Sequence, residues 1–427
     1  MKKTFLFVMV EGGGNVPAQL SVARRLALLG HDVHVLSDGA AESQIAAAGC
    51  HFSAFRRAPQ HNMRDPAADL IRDFESGSPL EQLRRVGELL MFGPAEAYAR
   101  DVLDAVARIS PDALAIDCLP LGAQVGAEKS GVPSALMFHM PYSAPVPGAT
   151  PFGLGLRPAR SWLGRLRDRV LLGVFERVFR SGLPPVNAAR VALGLAPLSA
   201  VFDQFHRLDR TLVPTSREFD FVPSGLPANV RYVGPQLDDP GWVEPWASPW
   251  SEEQADAPLV LVSLGSTYQK QEKALASIAT ALGTLQVRGL VTHGAAVAPS
   301  APGNVAVARS VPHASVLPMA SAVVCHGGHG TVMKALACGV PVVVVPFGRD
   351  QRDNGARVRV AGAGLTLSPK ASPAKIAAAV RRVLDEPAFR RGARQMAAVI
   401  ARDVAADLAV AELEALAGAG RALRAAA

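Results

Sequence analysis

The sequence predicts an α/β protein built from two successive doubly wound domains. Three observations carry this. Short apolar runs alternate with helical segments through both halves of the chain. Most runs open at their C-terminal end into a polar or glycine-rich loop. The alternation stops once, over residues 238–258, and then restarts. At 427 residues the chain has room for two full cores.

Taken in order, a strand at Thr4–Val10 leads through Glu11–Val16 into a helix from Pro17 to about Leu28. Strands follow at Asp32–Ser37, His51–Phe55, Leu114–Asp117 and Ala135–His139. The polar stretch Arg56–Ser78 reads as a mobile loop at the ligand-facing edge. Tyr142–Pro158 is a Pro- and Gly-rich insertion. After it comes an amphipathic helix, Ala159–Arg180, with Trp162, Leu163, Leu166, Val170, Leu171, Phe175 and Phe179 assigned to its buried side and its arginines to solvent. Such a basic helix either lies on an anionic membrane or packs in the domain with a solvated arginine face, and the second reading is adopted.

Residues 238–258 combine prolines, tryptophans and acids without an apolar period, as a linker does. Beyond it, strands are expected at Leu259–Ser263, Leu290–Thr292, Val305–Ala308, Ala322–Cys325, Val342–Val345 and Leu365–Leu367. The division is therefore 1–237, a linker 238–258, a second domain 259–405, and a C-terminal helix 406–427 able to pack back on the first domain. Two Rossmann-like domains so joined leave a cleft between their strand ends, which is where the active site is expected.

The formal charge of +7 weakly favours anionic ligands, but the basic residues form no aromatic-interleaved stripe, which argues against nucleic acid. Four cysteines, Cys50, Cys118, Cys325 and Cys338, lie far apart, which suggests a reducing cytoplasm and no zinc site. The apolar run after Lys2-Lys3 is cut by Glu11 and three glycines, so it reads as a first strand rather than a signal peptide.

The most informative stretch is Val311–Asn354. A buried strand runs into the loop His326-Gly327-Gly328-His329-Gly330-Thr331, a helix from Val332, a second apolar strand, and then Asp350-Gln351. That loop brings backbone N–H groups, a helix dipole, an imidazole and a hydroxyl to one point, which suits a diphosphate. An acid-amide pair beyond it suits sugar hydroxyls, so the pattern suggests a nucleotide sugar. His329 is read as a solvent-facing loop residue. The glycines after the first strand do not complete a dinucleotide fingerprint, because Pro17 stands where its last glycine belongs.

Taken with Ser263-Leu264-Gly265-Ser266-Thr267 and Val311-Pro312-His313, these motifs resemble the donor signature of the family 1 (UDP-type) glycosyltransferases of GT-B fold. The closest likeness is to bacterial natural-product and macrolide enzymes, and Gly14–Leu36 resembles the family's opening strand-helix-strand. The resemblance implies that Val311 and His313 flank the base. It implies that His326, Gly328, Gly330 and Thr331, with Ser266, hold the diphosphate, and that Asp350 and Gln351 read the sugar. The co-substrate would be a UDP- or dTDP-sugar, with no metal and no further cofactor. Two positions depart from the pattern: Ser310 replaces an aromatic, and Lys334 replaces a glutamate that would bind ribose.

In the family a histidine after the first strand acts as base, oriented by an aspartate. Asp117 matches the aspartate, whereas the histidine column holds Gly14 or, allowing one deletion, Asn15. Asp117 and Asn15 are thus the candidate catalytic residues. Asp117 acts directly, or another histidine such as His61 or His139 has taken over, or an acidic (phenolic) acceptor needs little help. The resemblance implies an inverting hexosyltransferase, monomeric or homodimeric, acting on a small lipophilic acceptor bound by the first domain, with Phe152 and Leu154 in its pocket. The rivals are a nucleotide-sugar epimerase and a non-catalytic helper protein.

Overall fold

A computed structural model describes residues 1–75, 78–251, 256–265 and 267–426. Among these residues the N-terminal half forms a 7-stranded sheet from β1 (Thr4–Val8), β2 (Asp32–Ser37), β3 (His51–Ala54), β4 (Ala113–Asp117), β5 (Ser134–Met137), β6 (Arg210–Val213) and β7 (Val230–Tyr232). The C-terminal half forms a 6-stranded sheet from β8 (Leu259–Ser263), β9 (Arg288–Thr292), β10 (Val305–Ala308), β11 (Ala320–Cys325), β12 (Val342–Val344) and β13 (Gly364–Thr366).

The strand orders are β3-β2-β1-β4-β5-β6-β7 and β10-β9-β8-β11-β12-β13. Neighbouring strands in both sheets pair in parallel. The central strands β4, β8 and β11 are buried almost throughout, so each sheet is covered by helices on both faces. In both halves the chain reverses direction across the sheet at one point, between β1 and β4 and between β8 and β11. The loops leaving those strands flank the crevice in which doubly wound folds bind ligands.

Several expected boundaries shift. Residues 9–10 and 138–139 leave the ladder after β1 and β5 and become loop. The first helix begins at Asn15, two residues before Pro17, and runs to Leu28. Strands β6 and β7 were not anticipated. Trp162–Phe179 is a helix, but Trp162, Leu163, Leu166 and Val170 are exposed rather than buried; of the seven residues assigned inward only Phe179 is fully covered. The loop expected to be mobile is fastened at its start. The Asp101 carboxylate accepts from the backbone N–H groups of Arg56, Arg57 and Ala58, and Asp38 accepts from that of His61.

The halves are joined by more than the 238–258 segment. Arg357, on the helix Gln351–Val360, donates to Asp220 of the first domain at 2.7 and 2.9 Å. Asp353 on the same helix accepts from Gly153 and Gly155 of the 142–158 insertion. The last helix, Leu408–Ala426, returns to the N-terminal sheet, where Ala409, Val410, Leu413, Leu416 and Ala417 join Phe5, Phe7 and Val33 in one core. Lys3 Nζ donates to the Glu414 carbonyl at 2.5 Å, and His31 meets the Glu414 carboxylate at 2.9 Å. Among the described residues no helix is long and apolar enough to cross a membrane.

Candidate active site

A cavity of about 800 Å³ lies between the C-terminal edges of the two sheets and takes its walls from both domains. On the second-domain side, His326 leaves β11 and its Nδ1 faces the Ser263 carbonyl at the end of β8, 3.4 Å away. A carbonyl can only accept, so Nδ1 carries the proton. Burial pushes the ring's pKa down to about 4, so it is neutral at neutral pH.

The two glycines that follow are dictated by space. Gly327 has φ of 92°, and a Cβ there would sit 2.7 Å from Val344 Cγ1. A Cβ on Gly328 would lie 2.3 Å from His326 Nε2. Gly328 caps the helix His329–Ala337 without a side-chain hydrogen bond. The first-turn N–H groups of His329, Gly330 and Thr331 therefore have no intrahelical partners, and all three residues line the cavity. The helix begins three residues earlier than its apolar run suggested, because this glycine cap sits at 328.

His329 is not solvent-facing. It is buried, and its Nε2 donates to the Pro214 carbonyl of the first domain at 3.1 Å, so it bridges the halves instead of hanging in the loop. Val311, His313 and Asp350 all line the cavity. Asp350 is steadied by Asn354, whose Nδ2 donates to Asp350 Oδ2 and to the Gly327 carbonyl, both at 2.8 Å. Gln351 is largely committed to the frame. Its Oε1 accepts from Phe347 and Gly348 N–H, and its Nε2 donates to Gln269. Ser266 lies outside the described residues.

Other cavity residues were not anticipated as site residues. The 238–258 segment contributes Asp239 and Trp242 to the wall. Asp239 Oδ1 receives the Lys334 ammonium at 2.7 Å, so a carboxylate stands beside the lysine that occupies the family's glutamate position. Arg64 lies over the Trp242 ring at 5.6 Å. Arg349, at φ 55°, also lines the cavity; a positive φ at a non-glycine residue marks stored backbone strain, common at binding sites. The linker-like composition of 238–258 concealed Asp239 and Trp242, and nothing in the local sequence around Arg349 marks its conformation.

On the first-domain side, Asp117 is fully enclosed at the end of β4. Its carboxylate accepts from Asn15 Nδ2 at 2.6 Å, Gln19 Nε2 at 2.7 Å and Leu119 N–H at 2.9 Å. Burial alone would raise its pKa; His139 and these hydrogen bonds outweigh it and hold the carboxyl below its usual range. Asp117 stands behind the cavity wall and does not form it, whereas Asn15, Cys118 and His139 do. His139 Nδ1 lies 3.5 Å from Asp117 Oδ1 and 3.6 Å from Cys118 Sγ. Burial would lower its pKa, but the facing Cys118 and Asp117 carry it well above that of an ordinary histidine. Among the described residues Nε2 has no protein partner. His61, by contrast, is buried away from the cavity with neither ring nitrogen bonded, and burial lowers its pKa to about 4.

Beyond this dyad the cavity wall is aromatic. Phe175 stacks on Phe202 at 5.4 Å and tilts against Phe179 at 4.6 Å, and Phe138, Phe152 and Leu154 continue the surface. A polar, anion-suited end thus faces an apolar, ring-lined end across one space.

Known proteins are similar to this chain in sequence and in fold. The family model of the erythromycin biosynthesis protein CIII-like C-terminal domain matches residues 287–416. The chain is 31% identical over 423 residues to 4'-demethylrebeccamycin synthase of Lentzea aerocolonigenes, spanning 94% of this chain and 97% of that protein. The chain belongs to the natural-product glycosyltransferases. It is a sugar-transferring enzyme, a hexosyltransferase, of GT-B architecture. The solved glycotransferase of kitacinnamycin superposes with a TM-score of 0.74 at 20% identity, covering 97% of this chain and 99% of that one. The glycosyltransferase VinC in complex with dTDP gives a TM-score of 0.60 at 19% identity, with 96% and 99% covered.

Proposed function

We propose that this glycosyltransferase moves a hexose from a UDP- or dTDP-sugar to a bulky apolar acceptor, with inversion and without a metal. The observation that carries the reading is the cavity itself. The uncapped helix start at His329–Thr331 and the neutral His326 open into the same space as the aromatic wall of the first domain. VinC, of the same fold, binds dTDP.

The diphosphate sits against the first-turn N–H groups and the Thr331 hydroxyl, which meet its charge without reorganising as the leaving group departs. As the anion binds, His326 takes up a proton and donates to it. Asp350 receives sugar hydroxyls, and Asp239, held by Lys334, takes the ribose-binding role of the missing glutamate. On the opposite wall the acceptor hydroxyl attacks the anomeric carbon in a single displacement, which inverts it. His139 Nε2 takes the hydroxyl proton, while Asp117 orients the ring through Nδ1 and Asn15 holds Asp117 in turn.

The test is a mass-spectrometric screen of purified protein with UDP- and dTDP-hexoses against phenolic and macrolide acceptors. The expected result is a hexosylated acceptor formed without added divalent ion and unaffected by EDTA. Conversion of donor with no acceptor present would instead identify an epimerase. His326→Ala and Asp350→Ala should each lower transfer strongly while leaving the melting temperature near that of the parent.

A further inference from the structure

The helix Trp162–Phe179 presents two apolar faces, and only one of them is covered. Its inner face carries Phe175 and Phe179 into the acceptor wall. On the outer face Trp162, Leu163, Leu166, Val170 and Val174 are 66%, 59%, 46%, 57% and 54% exposed. At 3.6 residues per turn these five fall within an arc of roughly 120°. Scattered exposed apolar residues are ordinary, but a continuous stripe along four turns of one helix marks a contact surface.

The charge around the stripe says what it contacts. Between residues 157 and 180 there are seven arginines, no lysines and two acids. One of the acids, Asp168, is turned inward and held by Arg167 at 2.7 Å. Exposed Arg165 and Arg169 border the stripe on one side, with exposed Arg160 at its start, while Arg167 on the other side is already paired with Asp168.

We propose that this face docks the enzyme on the surface of an anionic lipid bilayer. An apolar stripe with an indole at one end and guanidinium groups along one edge and at its start matches an interface of acyl chains beneath negatively charged headgroups. A second copy of the chain fits poorly, because two-fold pairing of this face would set arginines against arginines. The helix would lie in the interface plane and not span it. Resting on the proposed function, docking also sets the aromatic acceptor wall directly behind the membrane-facing helix, with Leu154 exposed beside it, so a lipophilic acceptor has a short path from bilayer to cavity.

The test is flotation of the full chain with vesicles of phosphatidylcholine alone and of phosphatidylcholine with about 30% phosphatidylglycerol. Binding is expected only with the anionic vesicles, and it should fall as salt is raised to about 0.5 M. The double variant Leu166→Glu/Val170→Glu changes two exposed residues outside the cavity and should melt like the parent. It is expected to lose vesicle partition by about tenfold or more. Absence of binding to anionic vesicles, or equal binding by the double variant, would overturn the proposal. So would a concentration-dependent dimer that the variant dissolves, since the face would then join two copies. The assay uses no sugar donor, so its failure leaves glycosyl transfer standing, and failure of transfer leaves docking standing.

Discussion

At position 139 a histidine ring rests between Asp117 and Cys118, and both neighbours favour its protonated form. A base must be neutral to act, so the rate should fall as pH falls through the raised pKa of His139. That places the acid limb of kcat/KM above 6.5, the ordinary value for the group. His139→Gln keeps a polar side chain but cannot take a proton. It should lower kcat by roughly 10²–10⁴-fold and abolish the limb, with the KM for donor little changed. If the limb survives in the variant, another group titrates. Gly328 gives a second test at this scale. Its φ of −61° suits any residue, so Gly328→Ala carries no backbone strain. The added Cβ would nevertheless stand 2.3 Å from His326 Nε2 and force the ring out of its place in the cavity, where the proposed diphosphate would meet it. The nucleoside diphosphate Kd, measured by calorimetry, should rise about tenfold or more, the loss of roughly one charge-assisted hydrogen bond.

Among the elements, what could be read from the sequence follows from what each element needs. Strands β1, β8, β11 and β12 are covered on both faces, so they appear as near-continuous apolar runs. Strands β6 and β7 are only four and three residues long and begin or centre on an arginine, which leaves no period to detect. The loop His326–Thr331 and its place at the cavity were legible because its glycines are imposed by local crowding. His139 could be read only as one of several alternatives, because Asp117 and His139 meet only when β4 and β5 are paired, and neighbouring residues carry no mark of that register. The helix at 162–179 failed differently. Apolar residues lie on two of its sides, and periodicity alone cannot say which side has a partner. The helix Gln351–Val360 shows the converse, a polar helix that is mostly buried because its charges are answered across the domain boundary. Arg357 meets Asp220, and Asp220 also accepts from Tyr232 Oη and Tyr142 N–H, each at 2.8 Å. Arg357→Ala leaves that carboxylate buried beside hydrogen bonds but without its counter-charge. The cost should be about 3–5 kcal/mol, read as an earlier midpoint in urea unfolding. Arg357→Lys should recover only part, because an ammonium cannot make the paired contact.

For the whole molecule, the chain is threaded so that neither half is complete by itself. The second domain ends near Ala405, and the chain then crosses back to cover the first sheet with the helix Leu408–Ala426. Leu413 is fully buried there among residues of β1 and β2, although more than 370 positions separate it from them in sequence. The core of the first domain is therefore closed by a contact of very long sequence separation, which local propensity does not supply. The same crossing ties the domains together beside the start of the linker, where Arg25 meets Asp407 at 3.1 Å and also donates to Gln236, in addition to the Arg357–Asp220 and Asp353–Gly153 contacts. Leu413→Ala removes buried methyl groups from the one helix that makes this return. It should destabilise the protein by about 2–5 kcal/mol. The hydrogen exchange it accelerates should fall in β1, β2 and the helix Asn15–Leu28, with β11 and β12 much less affected. Uniform acceleration across both sheets would mean that the two domains unfold as one cooperative unit, so that the final helix fastens the entire enzyme and not only its first domain.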